Sequence, residues 1–156
     1  MIQAQPPKSS IVWVLLVFLL IGLLASATVF LLSSSQAKAR DSKRLVDIAR
    51  ISTALEYYKL SHSTYPIETK ALPLGVPQTQ RLCDAKSGGF VAATAQCEVE
   101  YTKVGIPLDP SGDSYVYQSD GKGYTIVFIT EKETQYGAPG TYFAHSKGIN
   151  RDPKVQ

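Results

Sequence analysis

A long run of apolar residues dominates the N-terminal part of the chain. From Ile11 to Leu32 the sequence carries no charged residue, and as a helix this run would extend about 33 Å. A bilayer core is about 30 Å thick, and a core helix of a soluble protein is rarely apolar on every side. The run therefore predicts a membrane-inserted segment.

Three interpretations of this segment are open. A cleaved signal peptide would use the basic Lys8 and one of two A-x-A sites, at residues 25–27 or 37–39. A plain membrane anchor would be followed by a separate domain. In the third interpretation the run is the first half of one long helix, and the residues that follow it favour this one.

The segment after the apolar run has the period of an amphipathic helix. Four apolar residues recur at spacings of three, four and three, and Leu45 lies at the margin of their stripe. We predict that this stripe packs against the rest of the domain. Its members are Ile48, Ile51, Leu55 and Tyr58.

The opposite helix face carries Lys43, Asp47 and Arg50, and Asp47 can pair with the other two. No Pro or Gly interrupts the chain between Gly22 and Pro66, so we predict one continuous helix. Two helices with a hinge at residues 33–35 are the alternative, because serine is a mediocre helix former. Pro66 and the turn-prone residues before it predict that the helix ends at residues 61–63.

The C-terminal half has strand patterns. Residues 115–117 begin one strand, residues 124–129 form the next, and a D-G turn at residues 119–123 joins them. A third strand is predicted at residues 142–146. Between Pro66 and Ser114 we predict a short helix or strand at residues 79–83 and another at 98–104, since a structureless loop of that length is uncommon.

Composition narrows the function. The chain has 156 residues and a net charge of +3, which is too small for a nucleic-acid footprint, and it lacks the common nucleophile, zinc-protease and phosphate-loop motifs. We therefore predict no enzymatic activity. Cys83 and Cys97 are predicted to form a disulfide on an oxidising, extracytoplasmic side of the membrane, with two buried free thiols as the alternative.

The helix resembles that of type IV pilins and of the major pseudopilins of type II secretion. The pattern is A-R-D-S-K-R-x-x-D-I-x-x-I-x-x-A-L-E-Y-Y from Ala39 to Tyr58, followed by T-Y-P at residues 64–66 and by I-P-L-D-P at residues 106–110. The resemblance implies an α+β fold, in which a long helix packs on a small antiparallel sheet. It divides the chain into a tail (1–10), a transmembrane half-helix (11–32), an amphipathic half-helix (33–62) and a loop-rich β-sheet head (63–156).

The N-terminus departs from the prepilin signature of that family. Residues 7–16 contain neither the Gly that precedes cleavage nor the Glu at the fifth mature position. We therefore expect that no prepilin peptidase cleaves the chain and that the apolar segment is retained. Helix packing in the membrane would then use the small residues Gly22, Ala25 and Ser26.

The resemblance also raises the question of calcium, because major pseudopilins often bind it in the sheet region. The candidates are Asp109, Asp113 and Asp120, although their spacing departs from a calcium loop. The alternative is that they are turn residues that bond their own backbone. We expect no other cofactor.

The functional expectation is a structural, membrane-anchored subunit that assembles with itself or with other pilin-like subunits through its N-terminal helix. The residues between Cys83 and Cys97 would form an exposed loop available to a partner. The positive charges after the apolar run favour a cytoplasmic head, whereas the resemblance and the cysteines favour an extracytoplasmic head on an inner-membrane anchor, which we adopt. The alternative function is a monomeric, anchored or secreted binding protein with a pilin-like fold.

Overall fold

The chain folds into one long helix followed by short strands. The computed structural model describes residues 8–153, with the side chains of residues 11–26 and 33–153. Helix α1 spans Lys8–His62, and a 3₁₀ turn at Ala85–Ser87 lies between the second and third strands. The strands are β1 (Glu68–Leu74), β2 (Arg81–Leu82), β3 (Phe90–Val91), β4 (Tyr115–Ser119), β5 (Tyr124–Thr130), β6 (Gly140–His145) and β7 (Gly148–Asn150).

The chain divides into two compact units, the first ending at Ala37 and the second beginning at Lys38. In the first unit the large apolar side chains between Ile11 and Leu24 are each more than half exposed. Ser26 donates a hydrogen bond from its Oγ to the carbonyl of Leu23 (2.8 Å), and a Cβ at Gly22 would meet no atom within 4 Å apart from its chain neighbours and the adjacent helix backbone. The packing role of Gly22, Ala25 and Ser26 stays a prediction.

The predicted membrane segment falls partly outside the described side chains, since those of residues 27–32 are not among them. Among the residues that the structure describes, no helix combines the length and the apolarity needed to cross a bilayer.

The second unit is an α+β domain. Its main sheet has five antiparallel strands in the order β1-β4-β5-β6-β7, and β2 pairs with β3 in a separate hairpin. The stripe of α1 is buried on this sheet, with Ile48 at 1%, Ile51 at 2%, Leu55 at 0% and Tyr58 at 5% exposure. The predicted arrangement of a helix packed on an antiparallel sheet is confirmed.

Strand alternation explains why one sheet face forms the core. Tyr115 and Tyr117 of β4, and Ile126 and Phe128 of β5, are buried with the helix stripe, while the intervening Val116, Val127 and Ile129 are less buried or exposed. Side chains on a strand point alternately to opposite faces, so the first set faces the helix and the second set faces away.

The end of α1 follows the prediction. The helix stops at His62, and the N–H of Ser63 still bonds the carbonyl of Lys59 (2.7 Å), while Ser63 itself has a φ of 63°. The chain then turns into Tyr65 and Pro66, which are both buried. The T-Y-P sequence thus directs the chain from the helix into the sheet.

Strand β1 was not predicted, and neither was β7. Pro73 lies within β1, although proline cannot donate to a ladder. However, β1 lies at the edge of the sheet and pairs only with β4, with a bulge between Glu68 and Leu72. An edge strand tolerates proline, since one side of it needs no partner.

The region between the helix and β4 only partly follows the prediction. Residues 79–83 do contain a strand, β2. The helix or strand expected at residues 98–104 is wrong as an element, although Glu100 forms an isolated bridge with Cys83. The hairpin turn at residues 119–123 connects β4 to β5 as expected, with Gly121 at a φ of 89°.

Candidate subunit interface

A buried charged cluster ties α1 to two loops of the head. Arg44, 3% exposed, donates from Nε and Nη2 to the two carboxylate oxygens of Asp109 (2.6 and 2.8 Å). Its Nη1 reaches Asp41 (2.6 Å) and Glu131 (2.7 Å), and its Nη2 also reaches the Oγ of Ser111 (2.6 Å). These contacts use all five N–H donors of a guanidinium.

Asp41 completes the same cluster from the helix side. It is 2% exposed, and its carboxylate accepts the backbone N–H groups of Glu131 (3.0 Å) and Lys132 (2.7 Å) at the end of β5. Arg40 adds a second guanidinium on Glu131, with its Nε 2.8 Å from Oε1. The connection that follows β5 is therefore held directly on the helix.

The ion pairs shift the pKa values of their members. The hydrogen bond from Arg40, then those from Arg44, lower the pKa of Glu131 to about 2. Burial opposes ionisation of Asp109, but the bonds from Arg44 and from Ser111 outweigh it and lower its pKa. Bonding to Asp109 raises the pKa of Arg44 despite burial, so Arg44, Asp109 and Glu131 stay charged at neutral pH.

Asp47 lies in the interior of the head, so its placement on the helix face opposite the buried stripe was wrong. It is 2% exposed and accepts a hydrogen bond from the hydroxyl of Tyr115 (3.3 Å). Burial raises its pKa, while the charges of Lys43 and Arg50 act in the opposite direction and do not compensate. Asp47 is buried because β4 brings Tyr115 onto this side of the helix.

Two of the three calcium candidates, Asp109 and Asp120, use their side chains in other bonds. Asp109 binds Arg44, and the backbone carbonyl of Asp113 accepts the N–H of Asp109 (2.9 Å). Asp120 accepts the N–H groups of Lys122 (2.9 Å) and Gly123 (3.0 Å) in the hairpin turn. Within the described part of the chain, no three His, Cys, Asp or Glu side chains are grouped so as to hold a metal ion.

A disulfide joins Cys83 to Cys97, with the two Cα atoms 5.6 Å apart. The enclosed loop is not exposed throughout, because Phe90 is 8% exposed and its ring lies 4.9 Å from that of Tyr117. Arg81 organises the rest of the loop by donating to the carbonyls of Ala93 and Ala95, both at 3.0 Å. The loop is therefore fixed in two places: the ring of Phe90 packs in the core, and Arg81 binds the backbone shortly before Cys97.

The segment that follows Cys97 is hydrogen-bonded to β2 and to Asp84. The N–H of Asp84 donates to the carbonyl of Val99 (3.0 Å), and that of Tyr101 to Leu82 (2.8 Å). The N–H of Leu82 in turn donates to the hydroxyl of Thr102 (2.9 Å). Residues 99–102 are thus fixed beside β2, immediately after Cys97.

An apolar groove lies between this segment and one face of α1. It has a volume of about 810 Å³ and is lined by one face of the helix from Val46 to Ser61 and by residues 99–105 and 107. Several of its apolar side chains face solvent: Val46 is 49%, Tyr57 58%, Leu60 81%, Val99 50% and Val104 90% exposed. Arg50 and Lys103 also line it. Sequence periodicity did not identify this groove, because one of its walls is an irregular segment.

A long helix packed on a small antiparallel sheet is the arrangement expected of a pilin-like subunit. The family model for type II secretion system (T2SS), protein G, matches residues 31–142. The chain therefore belongs to this family of major pseudopilins.

Individual relatives agree with the family model. The chain is 32% identical to the type II secretion system core protein G of Vibrio cholerae. The matched stretch of 131 residues covers 82% of each of the two chains. It is 31% identical over 113 residues to the Escherichia coli protein of the same name, over 70% of this chain and 69% of that one. No solved structure matches the chain.

Proposed function

We propose that this pseudopilin is a structural, non-enzymatic subunit, anchored in the inner membrane by residues 11–32, with its head on the extracytoplasmic side. Anchored copies would assemble with one another, or with other pilin-like subunits, through the N-terminal helix. The relatives carry the name of a core protein of a secretion system, which agrees with a structural role.

The observation that carries this proposal is the first unit of the chain. Large apolar side chains from Ile11 to Leu24 are 51% to 68% exposed, and Trp13 is 70% exposed, with no charge among them. An exposed apolar surface of this extent is unfavourable in water and marks a membrane or protein contact. The disulfide supports an oxidising compartment for the head.

A charge in the apolar segment tests both anchoring and assembly. Leu19→Asp places a carboxylate at a side chain that is 63% exposed, and Ile129→Asp is a matched control on the head at 60% exposure. We expect Leu19→Asp to lower the membrane-bound fraction and to abolish sheared filaments, and Ile129→Asp to preserve the membrane-bound fraction. Normal anchoring and filaments in Leu19→Asp would contradict the proposal, and a monodisperse wild-type chain would favour the monomeric binding protein.

The proposal includes retention of the apolar segment. It rests on the missing Gly and Glu of the prepilin signature in residues 7–16. N-terminal sequencing of the native protein tests it. A start between Pro7 and Val12 would reveal cleavage by a divergent peptidase, and a start at Thr28 or Arg40 would reveal a signal peptide and contradict membrane anchoring.

A further inference from the structure

A second stripe of α1 faces the groove instead of the sheet. Its members follow one another at spacings of four, three, four and three, which is the spacing at which one helix face meets a second helix. All of them are exposed to solvent. Polar residues interrupt the apolar ones, so hydrophobic periodicity does not reveal the stripe. Its members are Val46, Arg50, Thr53, Tyr57 and Leu60.

The two walls of the groove offer apolar anchors to a helix. The stripe extends about 21 Å along α1 at 1.5 Å per residue. Leu60 on this wall is 81% exposed, and Val104 on the opposite wall is 90% exposed. Amphipathic helices bind such grooves by their apolar face, through side chains spaced three, four and seven residues apart. The shape of the groove therefore fits an amphipathic helix.

The charges that line the groove identify the kind of helix. Arg50 lies on one wall and Lys103 on the other; both are exposed, and neither belongs to an ion pair within the described part of the chain. Glu100 is the one acidic residue among the described lining residues, and Arg81 binds it with an Nη2–Oε2 distance of 2.6 Å. Asp47, which interacts with Arg50, is buried. A partner with carboxylates beside its apolar face would complement these two cations.

The helices of a second copy do not supply such a partner. Helix α1 contains three acidic residues. Asp41 and Asp47 are each 2% exposed, and Glu56 accepts the hydroxyl of Tyr65 (2.8 Å). The other helical element among the described residues is the short 3₁₀ turn at Ala85–Ser87. The acidic helix that the groove fits therefore belongs to another protein.

We propose that the groove binds an acidic amphipathic helix of another protein. Its apolar face contacts the stripe at residues 46–60 and Val104, and its carboxylates face Arg50 and Lys103. This inference goes beyond the proposed function, because assembly uses the N-terminal helix whereas the partner binds the head. With the head outside the cytoplasm, the partner is an extracytoplasmic protein or the extracytoplasmic part of a membrane protein.

Two matched peptides test the proposal. Each is about 16 residues long, or about 24 Å as a helix, with leucine at the a and d positions of its heptads. One has glutamate at the flanking e and g positions, and the other has lysine there. The full chain, in zwitterionic detergent micelles, carries a photoreactive residue in place of Leu60 or, as a control, of Ile67, which is 63% exposed and does not line the groove.

We expect the glutamate peptide to crosslink to position 60 at a lower concentration than the lysine peptide. Neither peptide should crosslink preferentially to position 67. The crosslink of the glutamate peptide should weaken as salt is added, because salt screens exposed charges.

Three variants separate the charge of the groove from its apolar surface. Lys103→Glu should raise the half-saturating concentration of the glutamate peptide about fivefold and lower that of the lysine peptide. Lys70→Glu makes the same charge change at an exposed residue outside the groove and should alter neither value. Val104→Ser removes an apolar contact, so it should weaken the binding of both peptides alike.

Several outcomes would overturn the proposal. Equal affinity for the two peptides, or a preference for lysine, would exclude an acidic partner. Equal crosslinking at positions 60 and 67, or crosslinks to detergent alone, would exclude the groove. Crosslinks from position 60 to a second copy that the glutamate peptide does not displace would show that the chain itself occupies the groove. Sedimentation measures self-association separately, and a monodisperse chain that still binds the glutamate peptide would contradict only the proposed assembly.

Discussion

Arg44 and Asp109 form a bidentate ion pair in the interior of the head, 65 residues apart in the chain, with Nε–Oδ2 and Nη2–Oδ1 distances of 2.6 and 2.8 Å. Asp109 belongs to the I-P-L-D-P sequence, and Arg44 to the helix pattern that also marks the resemblance to pilins. The pair therefore joins the two characteristic parts of the sequence. It fixes the loop before β4 on the helix.

Removing the guanidinium of Arg44 should lower the urea concentration at which the head unfolds. Arg44→Ala leaves the carboxylates of Asp41 and Asp109 buried without their partner, and loss of one member of a buried pair costs about 3–5 kcal/mol. Arg44→Lys should also be destabilising, because an ammonium cannot reproduce the bidentate geometry. Urea unfolding of the full chain in micelles measures both, with the exposed Arg50→Lys as the control. If Arg44→Ala lowered the free energy of unfolding no more than Arg50→Lys does, the cluster would contribute little to the stability of the head.

Truncating the helix stripe tests the common core of helix and sheet. Leu55 is 0% exposed, whereas Leu60 is 81% exposed. Leu55→Ala should lower the free energy of unfolding by about 2–5 kcal/mol, and Leu60→Ala should have a much smaller effect. A change below about 0.5 kcal/mol for Leu55→Ala, the range of ordinary surface substitutions, would show that the stripe is not part of the folded core.

The helix stripe was predictable because its spacing is local, and the charged cluster was not because its partners are distant. The partners of Arg44 in the head lie 65, 67 and 87 residues away. One signal was present: Asp41 and Arg44 continue the stripe toward the N-terminus, preceding Ile48 by seven and four positions. Charged residues that keep the spacing of a buried stripe therefore indicate buried ion pairs.

The sequence contained no comparable signal for the groove. Its helical wall includes Val46, Tyr57 and Leu60, which look like scattered exposed apolar residues in the sequence. Its other wall is the segment where a regular element was predicted and none formed. Hydrogen bonds to β2 and the disulfide hold that segment, and neither follows from periodicity.

The disulfide should stabilise the folded head against unfolding. Closing a loop of about 15 residues is worth about 3 kcal/mol in the chain-entropy model, and the two cysteines are 14 residues apart. Cys83→Ser/Cys97→Ser should therefore unfold at lower urea concentration than the oxidised chain. Mass analysis of non-reduced native protein checks the bond itself, and two alkylated thiols would contradict both the bond and the extracytoplasmic head.

Glu131 should make the head less stable in strong acid. Its pKa is lowered from 4.5 to about 2 by Arg40 and Arg44, so its ion pairs stabilise the fold above about pH 4.5 and are lost as the pH falls through about 2. The Glu131 side chain is 32% exposed, and solvent screening reduces the effect. Glu131→Gln should therefore narrow the difference in unfolding midpoint between pH 5 and pH 2, and an unchanged pH dependence would contradict the assignment.

Asp47 should have the opposite pH dependence. Burial raises its pKa above 3.8 in the folded chain, so the folded state favours the protonated carboxyl. Its contribution to stability is fully present below pH 3.8 and is lost as the pH rises through the folded pKa. Asp47→Asn removes this titration while its amide oxygen can still accept the hydroxyl of Tyr115.

The Asp47→Asn variant should therefore gain stability relative to wild type between pH 3 and pH 7. Urea midpoints of both chains at the two pH values measure this gain, and Glu131→Gln, which should lose stability relative to wild type over the same interval, provides a comparison of opposite sign. If Asp47→Asn instead loses stability relative to wild type as the pH rises, the Asp47 carboxylate is stabilised in the folded chain. Lys43 and Arg50 would then outweigh its burial.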